Sequence, residues 1–264
     1  IICFILCAIL PLLILGTISY KISYNIAKDK ILKETAISCE KNQHLLENRM
    51  TQIENLEDSI HFNLCMLCTT AEQPMSNYLD KLSAVRNNIA SIADSFNIYH
   101  VNIFLPDDSF ASKEGLTFCS LSDLKKYKVQ LSDFSKQGLT PNWIFRKDIN
   151  FPYMVSKGEE PSGVLSCYRY AKINSQKTCL AVHITSEELS NYLNTFSEGN
   201  PSLSYIINSE GVVLSSTDKK QIGGSLSNEK LHAITQNLRL SHFSYDKCEI
   251  ISTPVHNQLF LVTE

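Results

Sequence analysis

The stretch YIINSEGVVLSSTDKKQIGGSL, from Tyr205 to Leu226, decides how the C-terminal part of this chain folds. Two apolar runs rich in β-forming residues, 205–207 and 212–214, flank four residues that end in Gly211. This pattern predicts a hairpin built on a type I turn, closed by a glycine in the left-handed conformation. A Gly-Gly pair follows at 223–224 without the spacing or the lysine of a phosphate-binding loop, so we interpret it as a turn.

The composition describes an ordinary globular chain with a sizeable core. Its 264 residues are 44% hydrophobic and 9% aromatic, which is enough for one or two folded units and excludes a disordered chain. The 24 basic and 27 acidic residues are interspersed and give a formal net charge of −3. Because no basic field is present, we expect no nucleic-acid partner.

The first twenty residues, Ile1–Tyr20, contain no charged side chain. As a helix they would span about 30 Å, the thickness of a hydrocarbon core. The stretch is longer than the apolar region of a signal peptide and no small-residue cleavage site follows, which favours an uncleaved transmembrane helix over 1–20. Lys21, Lys28, Lys30 and Lys33 come next, and taken alone they would place this side in the cytoplasm. Charge alone therefore does not decide the orientation.

From Lys21 to about Thr69 the chain has no proline or glycine, and its apolar residues recur in steps of three and four. This spacing places them on one face of a long helix. We predict a stalk helix over 21–70, whose apolar stripe forms either a dimer seam or the core-facing side of one domain. The stripe consists of Leu46, Met50, Ile53, Leu56, Ile60, Leu64 and Leu67.

After a second predicted helix over 75–96, the apolar residues recur with the period of β-strands. Because antiparallel strands dominate and no βαβ alternation occurs, the fold class is α+β with two sheet-based modules. A short helix with Ser186 as its N-cap separates the two groups of strands. The predicted strands are 100–105, 116–121, 163–173 and 177–185 before that helix, followed by the hairpin, a helix over 228–237 and two final strands.

By this arrangement the chain resembles the double Cache (dCache) sensor domains of bacterial membrane receptors. The runs YIINSEGVVLSS and IGGSL are similar to the membrane-proximal Cache hairpin, and GVLSCYRYAKI with TCLAVHI to the strand pair that ends the distal module. The resemblance implies two PAS-like antiparallel-sheet modules behind a membrane helix and a stalk. The implied domains are a transmembrane helix over 1–20, a stalk over 21–70, a distal module over 71–190 and a proximal module over 191–264.

The resemblance also implies a function. It indicates the extracytoplasmic ligand-sensing region of a membrane-bound two-component sensor histidine kinase, with residues after about 20 outside the cytoplasm. Such a receptor forms a homodimer, continues past Glu264 into a second membrane helix and an output domain, and acts on a cytoplasmic response regulator. The implied ligand is a small molecule bound in the distal module, a sugar or an organic acid among the options. No enzyme activity is expected in this segment and no cofactor is implied.

Two alternatives stay open. The same module occurs on chemoreceptors and on cyclic-dinucleotide enzymes, and a membrane-tethered extracellular hydrolase is a candidate from another class. Amino-acid-binding family members carry an Arg-x-Trp-Tyr run and a later Tyr-x-Asp. Here Trp143 precedes Arg146 and no Tyr-x-Asp follows, so amino-acid binding cannot be carried over.

The predicted ligand-binding residues lie in the distal module, where aromatic and arginine side chains concentrate. Aromatic rings offer stacking faces, and arginine offers a planar fork for carboxylates. Strand alternation places Tyr168 and Tyr170 on one face and Arg169 on the other. The competing interpretation is that Trp143 fills the core and Arg169 is solvated. The predicted set is Trp143, Arg146, Tyr168, Arg169 and Tyr170, with Tyr153 nearby.

Other candidate sites are weaker. His61, Cys65 and Cys68 share a helix face as an incomplete zinc set, but they belong to the apolar stripe, so we expect no metal. We interpret His183, in an apolar strand, as a hydrogen-bonded structural side chain, and no hydrolase or dinucleotide motif occurs. The chain has nine cysteines, seven of them beyond the predicted span, and we expect most of these to be free and buried.

Overall fold

The structure is a computed structural model that describes residues 2–68, 75–109, 111–115, 117–125, 142–147, 160–173, 176–193, 203–236, 239–256 and 259–264. Its helices are α1 (Ile2–Cys68), α2 (Met75–Ser95), α3 (Ser186–Ser190) and α4 (Asn228–Thr235). Its strands are β1 (His100–Leu105), β2 (Phe118–Ser120), β3 (Asn142–Arg146), β4 (Val164–Ile173), β5 (Gln176–Thr185), β6 (Ser204–Ile207), β7 (Val213–Ser216), β8 (Ser241–Tyr245), β9 (Cys248–Val255) and β10 (Leu259–Thr263).

Helix α1 is a single helix of 67 residues that runs through Pro11. At about 1.5 Å per residue it extends for roughly 100 Å. The predicted stripe from Leu46 to Leu64 is buried, so its side chains form the core-facing side of α1. The side chain of Leu67 lies outside the described residues. Within the part of the chain that the structure describes, no helix combines the length and the apolar character needed to cross a bilayer.

The two sheets have the same strand order. The first runs β2-β1-β5-β4-β3 and the second β7-β6-β10-β9-β8. We call the first the distal sheet and the second the proximal sheet, after the predicted modules in which they lie. The α+β architecture with two antiparallel-sheet modules and a long N-terminal helix is confirmed. One pairing differs from the antiparallel expectation, because β2 runs parallel to β1. The chain crosses back after Leu105 through a turn and a short 3₁₀ segment, Ala111–Lys113, before β2 begins.

Each sheet turns one face, here called the inner face, towards α1. Alternate residues of β4 and β5, such as Leu165 and Val182, join one apolar core with the buried stripe of α1. In the proximal sheet, Ile206, Ile251 and Leu261 join the same core. A single continuous core along α1 therefore connects the inner faces of both sheets.

The hairpin between β6 and β7 has the predicted form. The Gly211 N–H donates to the Asn208 carbonyl at 3.0 Å, and Gly211 has a φ of +79°, which only glycine adopts without strain. The Asn208 side chain accepts hydrogen bonds from two backbone N–H groups of the turn, those of Glu210 and Val212. Gly223, with a φ of +76°, closes the next turn before α4.

The start of α3 corrects one detail of the sequence analysis. Thr185, and not Ser186, is the N-cap, because its hydroxyl accepts from the Glu188 N–H at 3.1 Å. The Ser186 hydroxyl instead donates to the Leu214 carbonyl at 2.6 Å, and the Ser215 hydroxyl donates back to the Ser186 carbonyl at 2.7 Å. Ser186 thus joins the distal module to strand β7 of the proximal sheet.

Candidate functional site

The face of the distal sheet that points away from α1, here called the outer face, has a core of its own. Strand alternation sends Phe104, Tyr168 and Ala181 to this face, while their neighbours in sequence point to α1. The buried members of the outer-face cluster are Phe104, Cys119, Leu124, Val164, Tyr168, Cys179 and Ala181, with Tyr99, Leu121, Ile144 and Tyr170 packed against them.

A chain of buried polar side chains crosses this face. The Ser166 hydroxyl lies 2.7 Å from His183 Nδ1, and His183 Nε2 lies 2.9 Å from the Asn102 side-chain oxygen. The Asn102 amide nitrogen in turn lies 3.7 Å from the sulfur of Cys119. These contacts assign His183 as an imidazole that donates through Nε2 and accepts through Nδ1. Four strands, β1, β2, β4 and β5, are therefore tied together by groups that are all at most 2% exposed.

The surroundings of His183 favour its neutral form. Burial holds the pKa of His183 well below its usual range, and the nearby His100 and Arg146 lower it further. The ring of Tyr168 stands edge-on to that of His183, with centroids 6.1 Å apart. Burial raises the pKa of Tyr168 to about 12, against the opposing effect of Arg146. The face therefore presents neutral polar groups and a ring, with the Arg146 guanidinium as a positive charge that acts on both.

The structure divides the five predicted ligand-binding residues between the two faces of the distal sheet. Tyr168 and Tyr170 lie in the outer-face cluster, and Arg146 acts on Tyr168 from the neighbouring strand β3. Trp143 and Arg169 lie on the inner face. The prediction that Tyr168 and Tyr170 share one face, with Arg169 on the other, agrees with this arrangement.

The two inner-face residues contact α1. The indole N–H of Trp143 donates to Glu54 Oε1 at 3.1 Å, and the guanidinium of Arg169 pairs with Asp58. The same Glu54 oxygen lies 2.8 Å from Nε2 of His256, which follows β9 of the proximal sheet. One turn of α1 thus receives polar contacts from both modules.

The polar chain was only partly visible in the sequence. His183 was interpreted as a hydrogen-bonded structural side chain, which is confirmed. No local pattern predicts that Asn102 and Ser166 meet His183, because their proximity depends on the pairing of β1 and β4 with β5, which places Ser166 directly opposite His183. Tyr153 lies outside the described residues.

The weaker candidates occupy ordinary positions. Among the described residues, no group of three or more His, Cys, Asp or Glu side chains is arranged to hold a metal ion. The described cysteines are free: Cys39, Cys119, Cys167 and Cys179 are buried, Cys65 is half-buried and Cys248 is exposed. The side chain of Cys68 lies outside the described residues.

Among the described residues, two of the open cavities lie away from these side chains. One of about 560 Å³ lies between α4 and the proximal sheet, with Leu231, His232, Val255 and Phe260 among its walls. The other, of about 490 Å³, lies where α2 ends and α3 begins, and carries acidic and amide side chains such as Glu187 and Asn97. Neither cavity is lined by the predicted ligand-binding residues.

Several solved structures share this fold. The periplasmic sensory domain of the Campylobacter jejuni chemoreceptor Tlp1 matches with a TM-score of 0.63 at 14% identity, over 88% of this chain and 95% of that one. The sensory domain of the C. jejuni chemoreceptor Tlp3, with isoleucine bound, matches with a TM-score of 0.52 at 13% identity, over 90% and 95%. The extracellular domain of rpHK1S-Z16, assigned as a histidine kinase, matches with a TM-score of 0.53 at 16% identity, over 90% and 94%.

The chain has the fold of a double Cache sensory domain. No protein-family model matches its sequence, and no curated protein matches it. The likeness to the three structures therefore lies in the fold, and their ligands are properties of those proteins. By their descriptions, the three are sensory or extracellular domains.

Proposed function

We propose that this chain is the extracytoplasmic ligand-sensing region of a membrane-bound sensor histidine kinase. In this proposal residues 1–20 anchor it in the membrane, the rest lies outside the cytoplasm, and the receptor works as a homodimer. The modules follow the domain boundaries given above, and an output domain beyond Glu264 acts on a response regulator.

The proposed ligand site rests on one observation, which is the chain of buried, hydrogen-bonded polar side chains on the outer face of the distal sheet. Buried polar groups cost stability unless they are hydrogen-bonded, and a fully satisfied buried network holds its side chains in one arrangement. Here Ser166, His183 and Asn102 form a neutral network beside the ring of Tyr168. Apolar walls with a few convergent polar groups are typical of small-molecule sites.

The charge on this face supports one ligand class over another. The guanidinium of Arg146 acts on both Tyr168 and His183, and arginine binds carboxylates in a bidentate geometry. We therefore propose an organic acid as the ligand, contacted by Arg146, Tyr168 and Tyr170. A sugar stacked on the two tyrosine rings is the second option.

The inner-face residues of the predicted set have a different part in this proposal. Trp143 and Arg169 lie on strands β3 and β4, which also carry Arg146 and Tyr168, but they contact Glu54 and Asp58 of α1. Ligand binding that shifts these strands would therefore move side chains that hold α1. This gives the ligand a way to favour one of two positions of the stalk.

The chemoreceptor alternative remains because two of the matching structures are chemoreceptor domains. A cyclic-dinucleotide enzyme is the other output that fits the same module. The sequence that follows Glu264 separates them: a kinase core supports the proposal, and a methyl-accepting helical hairpin supports the chemoreceptor. A chain that ended at Glu264 would favour a tethered hydrolase.

The ligand site is tested by a thermal-shift screen of organic acids and sugars on the whole chain. A ligand at a hundredfold its Kd adds about 2.7 kcal/mol, a rise in Tm on the order of 5–10 °C at this size. Arg146→Ala and Tyr168→Phe should remove the shift given by any hit. Lys177→Ala, which removes an exposed positive charge from β5, should keep it. If both site variants still respond fully, the outer face is not the ligand site.

A further inference from the structure

Glu57 is a carboxyl group buried inside the contact between α1 and the distal sheet. It is 0% exposed and lies between Ile53 and Ile60 on the core-facing side of the helix. Neither of its oxygens forms a conventional hydrogen bond with a described residue. The polar group set against it is the thiol of Cys167 on β4, which is a weak donor.

The arginine whose charge acts on Glu57 forms an ion pair with a different carboxylate. Arg169 of β4 pairs with Asp58, the next residue of α1, while Glu54 one turn earlier holds Trp143 and His256. Burial raises the pKa of Glu57 well above its usual range. The Arg169 charge and the Cys167 thiol oppose this, and the Glu54 and Asp58 carboxylates add to it.

The other elements around this turn of α1 offer Glu57 no further counter-charge among the described residues. Helix α2 packs apolar side chains, Leu82, Val85 and Ile89, into the core that it shares with α1. Its Arg86 lies near Glu114 instead. On β5, the Cys179 thiol is buried, and its pKa is raised chiefly by that burial and further by Glu57. On α1 itself, His61 lies four residues beyond Glu57, and its Nε2 is buried without a hydrogen bond to a described residue. Burial among these groups therefore favours the neutral acid form of Glu57 in the packed arrangement of α1.

We propose that Glu57 is a proton-binding site through which the stalk helix senses pH, in addition to the ligand sensed on the outer face. With its proton in place, the carboxyl is accommodated between α1 and β4. Without it, the buried negative charge favours a position of α1 in which Glu57 reaches water. The proton thus acts as a second ligand of the receptor and binds one arrangement of the stalk better than the other.

The sign of the effect follows from the proton balance. A glutamate has a pKa near 4.3 in water, so a group with a raised pKa in the packed state holds a proton there that it loses in the exposed state. The stability of the packed arrangement is therefore independent of pH below about 4.3, and it falls as the pH rises from there towards the raised pKa. Acid favours the packed stalk, and alkali favours the displaced one.

Trp143 is the only tryptophan of the chain and bonds to Glu54 on the same segment of α1, so its fluorescence reports this contact. The experiment is a titration of Trp143 emission between about pH 5 and 9 on the full chain in lipid nanodiscs. The variants are Glu57→Gln, which mimics the neutral acid, and Glu40→Gln, which alters an exposed carboxyl of the same helix. Infrared spectra of wild type at neutral pH detect the protonated carboxyl directly.

We expect wild-type emission to move to longer wavelength as the pH rises, Glu40→Gln to follow it, and Glu57→Gln to keep the low-pH emission throughout. The wild-type infrared spectrum should contain a carboxylic-acid band that Glu57→Gln lacks. Emission that titrates equally in Glu57→Gln, or that does not titrate in wild type, overturns the proposal. If Glu57→Gln fails to fold, an acid band in wild type supports it and an ionised carboxylate overturns it. Neither measurement depends on the distal ligand.

Discussion

The distal and proximal sheets share a strand order and a helix on their inner faces, but their outer faces differ. The distal outer face contains the polar chain of Asn102, Ser166 and His183 beneath Arg146. The proximal outer face carries an apolar cluster on which α4 packs, with the buried hydroxyls of Ser216 and Ser252 on the same face. Its cluster consists of Tyr205, Ile207, Val213, Ile234, Ile250, Phe260 and Val262.

The polar contacts of the proximal outer face lie at its margin. The Tyr205 hydroxyl donates to the Glu264 carboxylate, which also pairs with Lys230 of α4 at 2.6 Å. These groups satisfy one another and fasten α4 to the last strand. The two outer faces therefore differ in chemistry: α4 packs on the proximal sheet beside the cavity of about 560 Å³, and the distal sheet carries the buried polar network on which the proposed ligand site rests.

The largest effect is expected where α4 closes the proximal sheet. Ile234 is 0% exposed, so Ile234→Ala should lower the free energy of unfolding by about 2–5 kcal/mol through lost burial and a cavity. Denaturant unfolding measures this, and His232→Ala on the exposed side of α4 is the control. The ligand-induced shift in Tm should survive in Ile234→Ala. Its loss there would mean that the ligand lies in the proximal module.

A smaller effect is expected from breaking the polar chain of the distal face. Asn102→Ala removes the acceptor of His183 Nε2–H, and a buried donor left without an acceptor costs about 1–3 kcal/mol. Asn102→Leu combined with His183→Leu should cost less than the sum of the two single changes, because the two groups depend on each other.

The matched control in the proximal sheet is Ser204→Ala, which breaks the buried hydrogen bond between Ser204 and Thr263. We expect it to leave the ligand response intact, whereas each change at Asn102 should weaken it. Calorimetric titration of the thermal-shift hit measures both. Equal loss of affinity in Ser204→Ala would contradict the difference between the two sheets.

An exposed ion pair also joins the proximal sheet to α1, and we predict that its contribution to stability depends on pH. Lys28 pairs with Glu249 at 2.6 Å, and hydrogen bonds from Lys28 and Ser244 lower the pKa of Glu249 to about 2. A depressed carboxyl pKa stabilises the fold above the unfolded value, and this contribution is lost as the pH falls from about 4.3 towards 2. Glu249→Gln should lower Tm slightly, and the fall should become smaller at high salt. Glu229→Gln, on α4, should leave this contribution to Tm unchanged. Identical acid profiles for the two variants would refute this.

The smallest effect concerns the cysteines, most of which belong to the core along α1 or to the distal sheet. Since Cys39, Cys119, Cys167 and Cys179 are buried and free, adding a reductant should leave Tm unchanged. Losing a disulfide would lower stability by about 2–4 kcal/mol. A fall in Tm of more than about 10 °C would therefore disprove the prediction that no bridge supports the fold.

Local patterns predicted much of this fold. The stripe of α1 depends on residue spacing and the left-handed Gly211 of the hairpin depends on residue type. Both predictions are confirmed. The N-cap of α3 was misplaced by one residue, because Thr185 and Ser186 are both good caps and only the contact of Ser186 with Leu214 decides between them. The parallel pairing of β2 depends on how the chain crosses back, which no local pattern encodes.

The site was harder to predict, because its parts come from distant positions in the chain. Asn102 and His183 are 81 residues apart and meet only through the register of β1 with β5. Trp143 and Arg146 are close in sequence, yet strand alternation sends them to opposite faces. Aromatic and arginine composition predicts a ligand site in the distal module, and strand pairing decides which side chains share a face.

The central claim is that the ligand binds the outer face of the distal sheet. Hydrogen–deuterium exchange of the full chain, with and without the best thermal-shift hit, tests it most directly because it locates the change along the sequence. The account predicts added protection in His100–Leu105, Val164–Ile173 and Gln176–Thr185, where the polar chain lies. Added protection confined to Asn228–Thr235 and Leu259–Thr263 would place the ligand in the proximal module and contradict it.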